Sequence, residues 1–191
     1  MKTKNRSALK TIKNEIVSAI KGTGEIATAT VHVVSKLVAE VIHDTSRIGS
    51  TVIESMSDIV QATIQAVMEV SGDMSLAAKC IVLGVLRSAR DMTMDTFEAI
   101  AYTAESIVQN TFAVAGDVAL AAKGAVQGAI EGAKEIGLDV EEAASSAARG
   151  AVKAAYEISS ELGHKVQNAV TGSISGIKVV LKEPFKSERN K

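Results

Sequence analysis

The sequence predicts an all-α protein of long, elongated amphipathic helices in an 11-residue repeat, running on continuously or folded into hairpins or a multi-helix bundle. Three observations lead there. The single proline is Pro184, so residues 1–183 lack the residue that most strongly breaks a helix by removing a donor and clashing with the preceding turn. Hydrophobic residues make up 47% of the chain, yet aromatics are only 3% and Trp is absent. Small apolar side chains suit closely approaching helices or a thin apolar stripe better than a deep pocket. The third observation is the repeat.

Gly72-Asp73-Met74-Ser75-Leu76-Ala77-Ala78-Lys79 returns 44 residues later as Gly116-Asp117-Val118-Ala119-Leu120-Ala121-Ala122-Lys123. Ala125-Val126-Gln127-Gly128 returns as Ala169-Val170-Thr171-Gly172 at the same distance. Such self-similarity is the mark of a repeat architecture. Steps of 11 from Ile26 fall on Leu37, Ile48, Ile59, Val70, Ile81, Met92, Thr103, Val114, Ala125, Ile136, Ala147, Ile158, Ala169 and Val180, apolar everywhere but Thr103. A second column from Val41 to Leu162 departs only at Thr63 and Thr96. A third alternates acidic with small residues, as Asp73, Gly84, Asp95, Ser106, Asp117, Gly128, Asp139 and Gly150. The full unit is therefore 22 residues.

Eleven residues span three helical turns at about 3.67 per turn, so an apolar stripe of this period stays on one face, with slight right-handed supercoiling at most. The apolar columns cover a broader arc than a two-stranded coiled-coil seam, and such an arc must be covered by several helices or by an apolar surface. The stripe residues expected to meet a surface or partner are Ile26, Leu37, Ile48, Ile59, Val70, Ile81, Met92, Val114, Ile136, Ile158 and Val180. Gly124, Gly128, Gly132, Gly172 and Gly176 are expected to permit close helix packing, because small residues in register let backbones approach. Thr51…Glu54, Asp95…Glu98 and Asp139…Glu142 match the capping-box pattern. The unbroken 11-residue phase nevertheless favours long helices, with breaks at Lys21–Gly24 and within His43–Thr51.

Charge divides the chain into a basic segment, 1–24, a repeat region, 25–182, and a basic tail, 183–191. Residues 1–21 carry a balance of +5, residues 22–177 one of −9 and residues 178–191 one of +3. The basic termini suit contact with an anionic surface, and no base-stacking platform accompanies them, so no specific nucleic acid is expected. Tyr102, Tyr156, Phe97, Phe112 and Phe185 read as core fillers. The lone Cys80 sits in an apolar run and reads as a small buried hydrophobe. Glu40…His43 and Glu161…His164 have the spacing of di-metal bundle ligands, but both histidines project from the polar side of the wheel, so no metal, cofactor or catalytic residue is assigned. The longest stretch free of Asp, Glu, Lys and Arg, Val166–Ile177, is 12 residues, short of the about 20 that a spanning helix needs. A cytoplasmic protein, peripheral on a membrane or granule, is the expectation.

The repeats resemble the 11- and 22-residue amphipathic repeats of synucleins, perilipins and exchangeable apolipoproteins, with Ala121-Ala122-Lys123-Gly124-Ala125-Val126 closest to the synuclein type. The resemblance is one of pattern over about residues 26–182. It implies a non-enzymatic structural protein whose helices coat a lipid, granule or other apolar surface. The alternatives are a self-assembling helical bundle or filament, in which copies cover one another's stripes, and a di-metal four-helix bundle. The net acidic repeat region departs from the Lys-edged repeats of those families and favours neutral over anionic surfaces.

Overall fold

In the computed structural model, which describes residues 2–43, 50–88 and 95–181 and their side chains except those of 2–8 and 50–54, the repeat is cut into short arms. The helices are α1 (Lys2–Thr23), α2 (Ile26–His43), α3 (Ser50–Val70), α4 (Met74–Arg87), α5 (Thr96–Ala113), α6 (Val118–Ile136), α7 (Val140–Ile158) and α8 (Ser160–Val170). A two-stranded hairpin follows, β1 (Gly172–Ile174) and β2 (Ile177–Val179).

The acidic column starts the arms. Asp73 accepts a hydrogen bond from the Leu76 amide at 2.9 Å, Asp117 from Leu120 at 3.1 Å and Asp139 from Glu142 at 2.9 Å, while Asp95 accepts from both Phe97 and Glu98. Each carboxylate satisfies an amide that the first helical turn leaves without an intrahelical partner. Ser159 plays this part for α8, accepting from Leu162 at 3.2 Å. These caps correct the expectation of long continuous helices. From α4 to α7 successive helices start 22 residues apart, so the apolar phase is preserved across those turns, whereas α1 to α4 start 24 apart and α8 starts 20 after α7. The repeat records arm length rather than an uninterrupted helix. The break at Lys21–Gly24 is present, with Gly24 in left-handed backbone. The segment between α2 and α3, and the side chains of Thr51 and Glu54, lie outside the described residues.

The arms stack in two layers. Odd-numbered arms pack on odd, α1 on α3, α3 on α5 and α5 on α7, and even on even, α2 on α4, α4 on α6 and α6 on α8. Partners rise together along the sequence: Ala27 and Ser35 of α2 meet Cys80 and Ser88 of α4, and Glu105 of α5 bonds Lys153 of α7 at 3.1 Å. The layers are therefore parallel within themselves, and successive arms form antiparallel hairpins. The turns α1–α2, α3–α4, α5–α6 and α7–α8 consequently share one end of the stack.

The small half of the third column sets how tightly arms approach. A Cβ on Gly128 of α6 would stand 2.6 Å from the Lys79 carbonyl oxygen of α4, and one on Gly84 of α4 would stand 2.6 Å from Val34 Cγ1 of α2. On Gly150 of α7 it would collide with the Ala101 carbonyl oxygen of α5. Gly124 and Gly132 sit one turn to either side of Gly128, against the Ser75 backbone and Leu86. Alanines fill the same seams, and Ala121, Ala125, Ala129, Ala147, Ala151 and Ala155 are all fully buried.

Gly172 and Gly176 depart from the packing role. They lie in left-handed backbone at φ 96° and 81°, with open space where a Cβ would stand. Gly172 begins β1, and Ser175 (φ 50°) with Gly176 forms the two-residue turn that pairs Ile174 with Ile177. Two consecutive positive-φ residues are what a tight hairpin turn requires.

Two glycine substitutions test the seam. Gly150→Ala should lower the unfolding free energy by about 1–3 kcal/mol, because overpacking against backbone outweighs alanine's helix propensity. Gly22→Ala in α1, where a Cβ meets nothing within 4 Å, should instead raise it by up to about 1 kcal/mol. Thermal and urea unfolding followed by circular dichroism reads both; a stabilised Gly150→Ala would contradict the close contact.

Candidate interaction surface

The stripe from Ile26 to Val180 is divided by the arms. Its members alternate between mid-arm and end-of-arm positions, because an arm with its turn takes 20–24 residues, close to two steps of 11. Ile59 and Ile81 sit mid-arm and are buried, and Leu37 is partly buried. The stripe is thus no continuous outward face, since neighbouring arms cover its middle. Ile48 and Met92 lie outside the described residues.

Steps of 44 carry the end-of-arm members to the common turn end. There Ile26 and Ile158 are half-buried, while Val70 and Val114 are exposed. Ile136 is partly buried at the opposite end. Val180, just past β2, is exposed.

Further apolar groups are exposed at the same arm ends. Met68 precedes Val70 at the end of α3, Phe112 precedes Val114 at the end of α5, and Leu120 lies in the first turn of α6; all three are exposed. Phe112-Ala113-Val114-Ala115 is a run of four exposed apolar residues that closes α5 and enters the next turn. Connecting segments usually face water with polar side chains, and an exposed run of this length is a liability unless it is used. The turn itself is rigidly built. Gly116 donates to the Thr111 carbonyl at 2.9 Å, Ala115 takes φ 54°, and Thr111 points its hydroxyl at Met74 Sδ, 3.6 Å away in α4.

Phe112, expected as a core filler, is 53% exposed. Helical spacing alone put it on the covered side of α5. Phe97, Tyr102 and Tyr156 are partly buried, and Phe185 lies outside the described residues. The signal that identifies this site in the sequence is the uncharged stretch Ser106–Gly116 running straight into a turn marked by Gly116-Asp117.

The two Glu-x-x-His pairs stand apart. His43 closes α2 at the far end of the even layer, whereas Glu161 and His164 open α8 at the turn end, with α4 and α6 between. His164 Nδ1 donates to the Ser160 carbonyl at 2.7 Å, and its ring meets Tyr156 edge-on at 5.4 Å. Among the described residues no three His, Cys, Asp or Glu side chains cluster as metal ligands. The basic start of α1 also falls at the far end, opposite the apolar turns, and the basic tail lies outside the described residues. By length and composition α2 is apolar enough to cross a membrane; within the stack its Val34 and Val38 are fully buried.

Cys80 is buried in α4 with its thiol 3.8 Å from the Ala27 carbonyl. Burial pushes its pKa up to about 11, which suppresses the reactive thiolate. At pH 8 Cys80 should react with a thiol reagent only as fast as the protein unfolds, and denaturant should bring immediate stoichiometric labelling. Prompt labelling of the native protein would contradict this packing. No protein-family profile and no curated protein matches the chain.

Proposed function

We propose that this chain is a non-enzymatic structural protein that seats the turn end of its helical stack in a lipid or similarly apolar surface as a peripheral protein. The observation that carries the reading is the exposed run Phe112–Ala115, with Met68, Val70 and Leu120 also exposed at arm ends on this side of the stack. The contact is narrower than a helix face laid flat on the surface, because the middle of the stripe is already used between arms. Fully burying a Val, Leu, Phe or Met side chain contributes about 1.5–3 kcal/mol, and these five start partly covered. Their combined insertion gives reversible attachment, like that of a single acyl chain.

A neutral surface fits better than an anionic one. Glu69, Asp73 and Asp117 rim the turns, and Lys13 is already paired with Glu69 at 2.5 Å. A second copy of the chain is the other apolar partner available, but a stable protein interface buries about 800 Å² on each side, and five partly exposed side chains at helix ends supply only a fraction of that.

Flotation with neutral phosphatidylcholine vesicles and with triacylglycerol emulsions tests the proposal. Wild-type protein should float, and the Phe112→Asp/Val114→Asp double variant should lose at least tenfold in partitioning with unchanged helicity, since both residues are exposed. Equal flotation of the two proteins, or a wild type that stays in the aqueous fraction, would refute it. A wild-type oligomer that the variant reduces to monomer, without flotation of either, would assign the patch to contacts between copies.

A further inference from the structure

Among the described residues, left-handed backbone between helices falls on glycine, with one exception. Gly24 after α1 (φ 72°), Gly72 after α3 (φ 69°) and Gly137 after α6 (φ 76°) follow the rule. After α5 the left-handed residue is Ala115, at φ 54°. The hydrogen bonds define the turn. Gly116 donates to the Thr111 carbonyl at 2.9 Å and Ala115 to the Phe112 carbonyl at 3.0 Å, the paired bonds of a helix C-terminus whose left-handed position ordinarily holds glycine. After α6, Leu138 donates to the Ala133 carbonyl at 2.9 Å across Gly137 in the same way. A Cβ in left-handed backbone crowds the following carbonyl oxygen, a strain that glycine escapes.

Packing does not call for the Ala115 methyl. Ala115 is exposed, so its side chain fills no gap. The neighbouring glycine is already committed: a Cβ on Gly116 would stand 2.5 Å from Met74 Cε of α4 and 2.9 Å from Thr111 Cγ2. One 44-residue repeat earlier the left-handed residue is Gly72 itself, the column partner of Gly116. After α5 the bend comes one residue sooner, and the strained position falls on alanine. Strain that the surrounding packing does not use points to a side chain wanted for contact. Ala115 also ends the exposed apolar run that begins at Phe112.

We propose that Ala115 is a contact residue of the surface-seated turn, its methyl adding to the apolar area of Phe112 and Val114 at the expense of fold stability. The inference rests on the surface attachment proposed above. A neutral lipid phase is the occupant that suits it. A fluid apolar phase gains from each added methyl wherever it lies, whereas a stable protein interface needs far more area than this run supplies.

The test compares the full chain with Ala115→Gly, Ala115→Asn and Gly137→Ala, the last in equally open left-handed backbone at the opposite end of the stack. Flotation with neutral phosphatidylcholine vesicles reads attachment, and thermal unfolding reads stability. Ala115→Gly should unfold at a higher temperature yet partition less, by up to about fourfold, the effect of one methyl group. Ala115→Asn, whose side chain also tolerates left-handed backbone, should lose roughly tenfold, because an amide enters an apolar phase unfavourably. Gly137→Ala should unfold at a lower temperature with unchanged partitioning, which separates stability from attachment. If wild type floats and both Ala115 variants float equally well, the role of Ala115 is overturned while the surface reading stands. If wild type stays in the aqueous fraction, the surface reading fails and the role of Ala115 with it. An Ala115→Gly protein no more stable than wild type would show that no strain is held there, and would overturn the inference as well.

Discussion

Everything in this fold depends on how closely an arm can approach the arm two before it. At Gly84, Gly128 and Gly150 the gap has no room for a methyl group without movement of the neighbour. Close approach of that kind replaces bulk with proximity: fully buried alanines and valines make the contacts that larger side chains make elsewhere, and dispersion grows with the number of atoms at near-optimal separation. A core with 3% aromatic residues is sufficient for that reason. Glycine's cost in helix propensity, about 1 kcal/mol each, is offset at the seam.

The seam also dictates what is left for the surface. Parallel stacking of alternate arms covers the middle of the apolar stripe and carries every second turn to one end. Cross-arm ion pairs rim the stack, such as Lys79 with Glu131 and the two-pronged Arg87–Glu135 pair at 3.0 and 3.1 Å. Exposed pairs of this sort contribute little stability, about 0–1 kcal/mol; parallel neighbours of equal phase bring opposite charges side by side. Apolar side chains escape coverage where arms end, at Met68, Val70, Phe112, Val114 and Leu120. The proposed attachment surface is thus a by-product of stacking geometry, retained at turns where polar residues would ordinarily stand.

At the other extreme of the stack the same rule is interrupted. Gly172 inherits the column position of Gly128 and Gly150 but falls two residues past the end of α8, where it adopts φ 96° and begins β1. One residue type serves two physical ends, absence of a side chain in the seam and freedom of the backbone at the hairpin. Only the surroundings distinguish them.

The sequence by itself determined the helical class, the 22-residue unit, and the residues that cap and space the arms. Each of these is a local or periodic property. Asp95 and Asp139 read as caps because an acceptor three residues before an unpaired amide is recognisable in one dimension, and Asp73 and Asp117 shared their column. Tertiary structure decided what the stripe faces. A continuous helix and a row of arms repeating every 22 residues preserve the same 11-residue phase, so periodicity could not distinguish an outward stripe from a buried one. It could not show that Ile59 and Ile81 lie inside while Val70, Phe112 and Val114 lie outside. Coverage depends on which arm lies beside which, and that is fixed by contacts between residues about 49 positions apart, such as Ala101 with Gly150, whose fit exists only once the backbones have met.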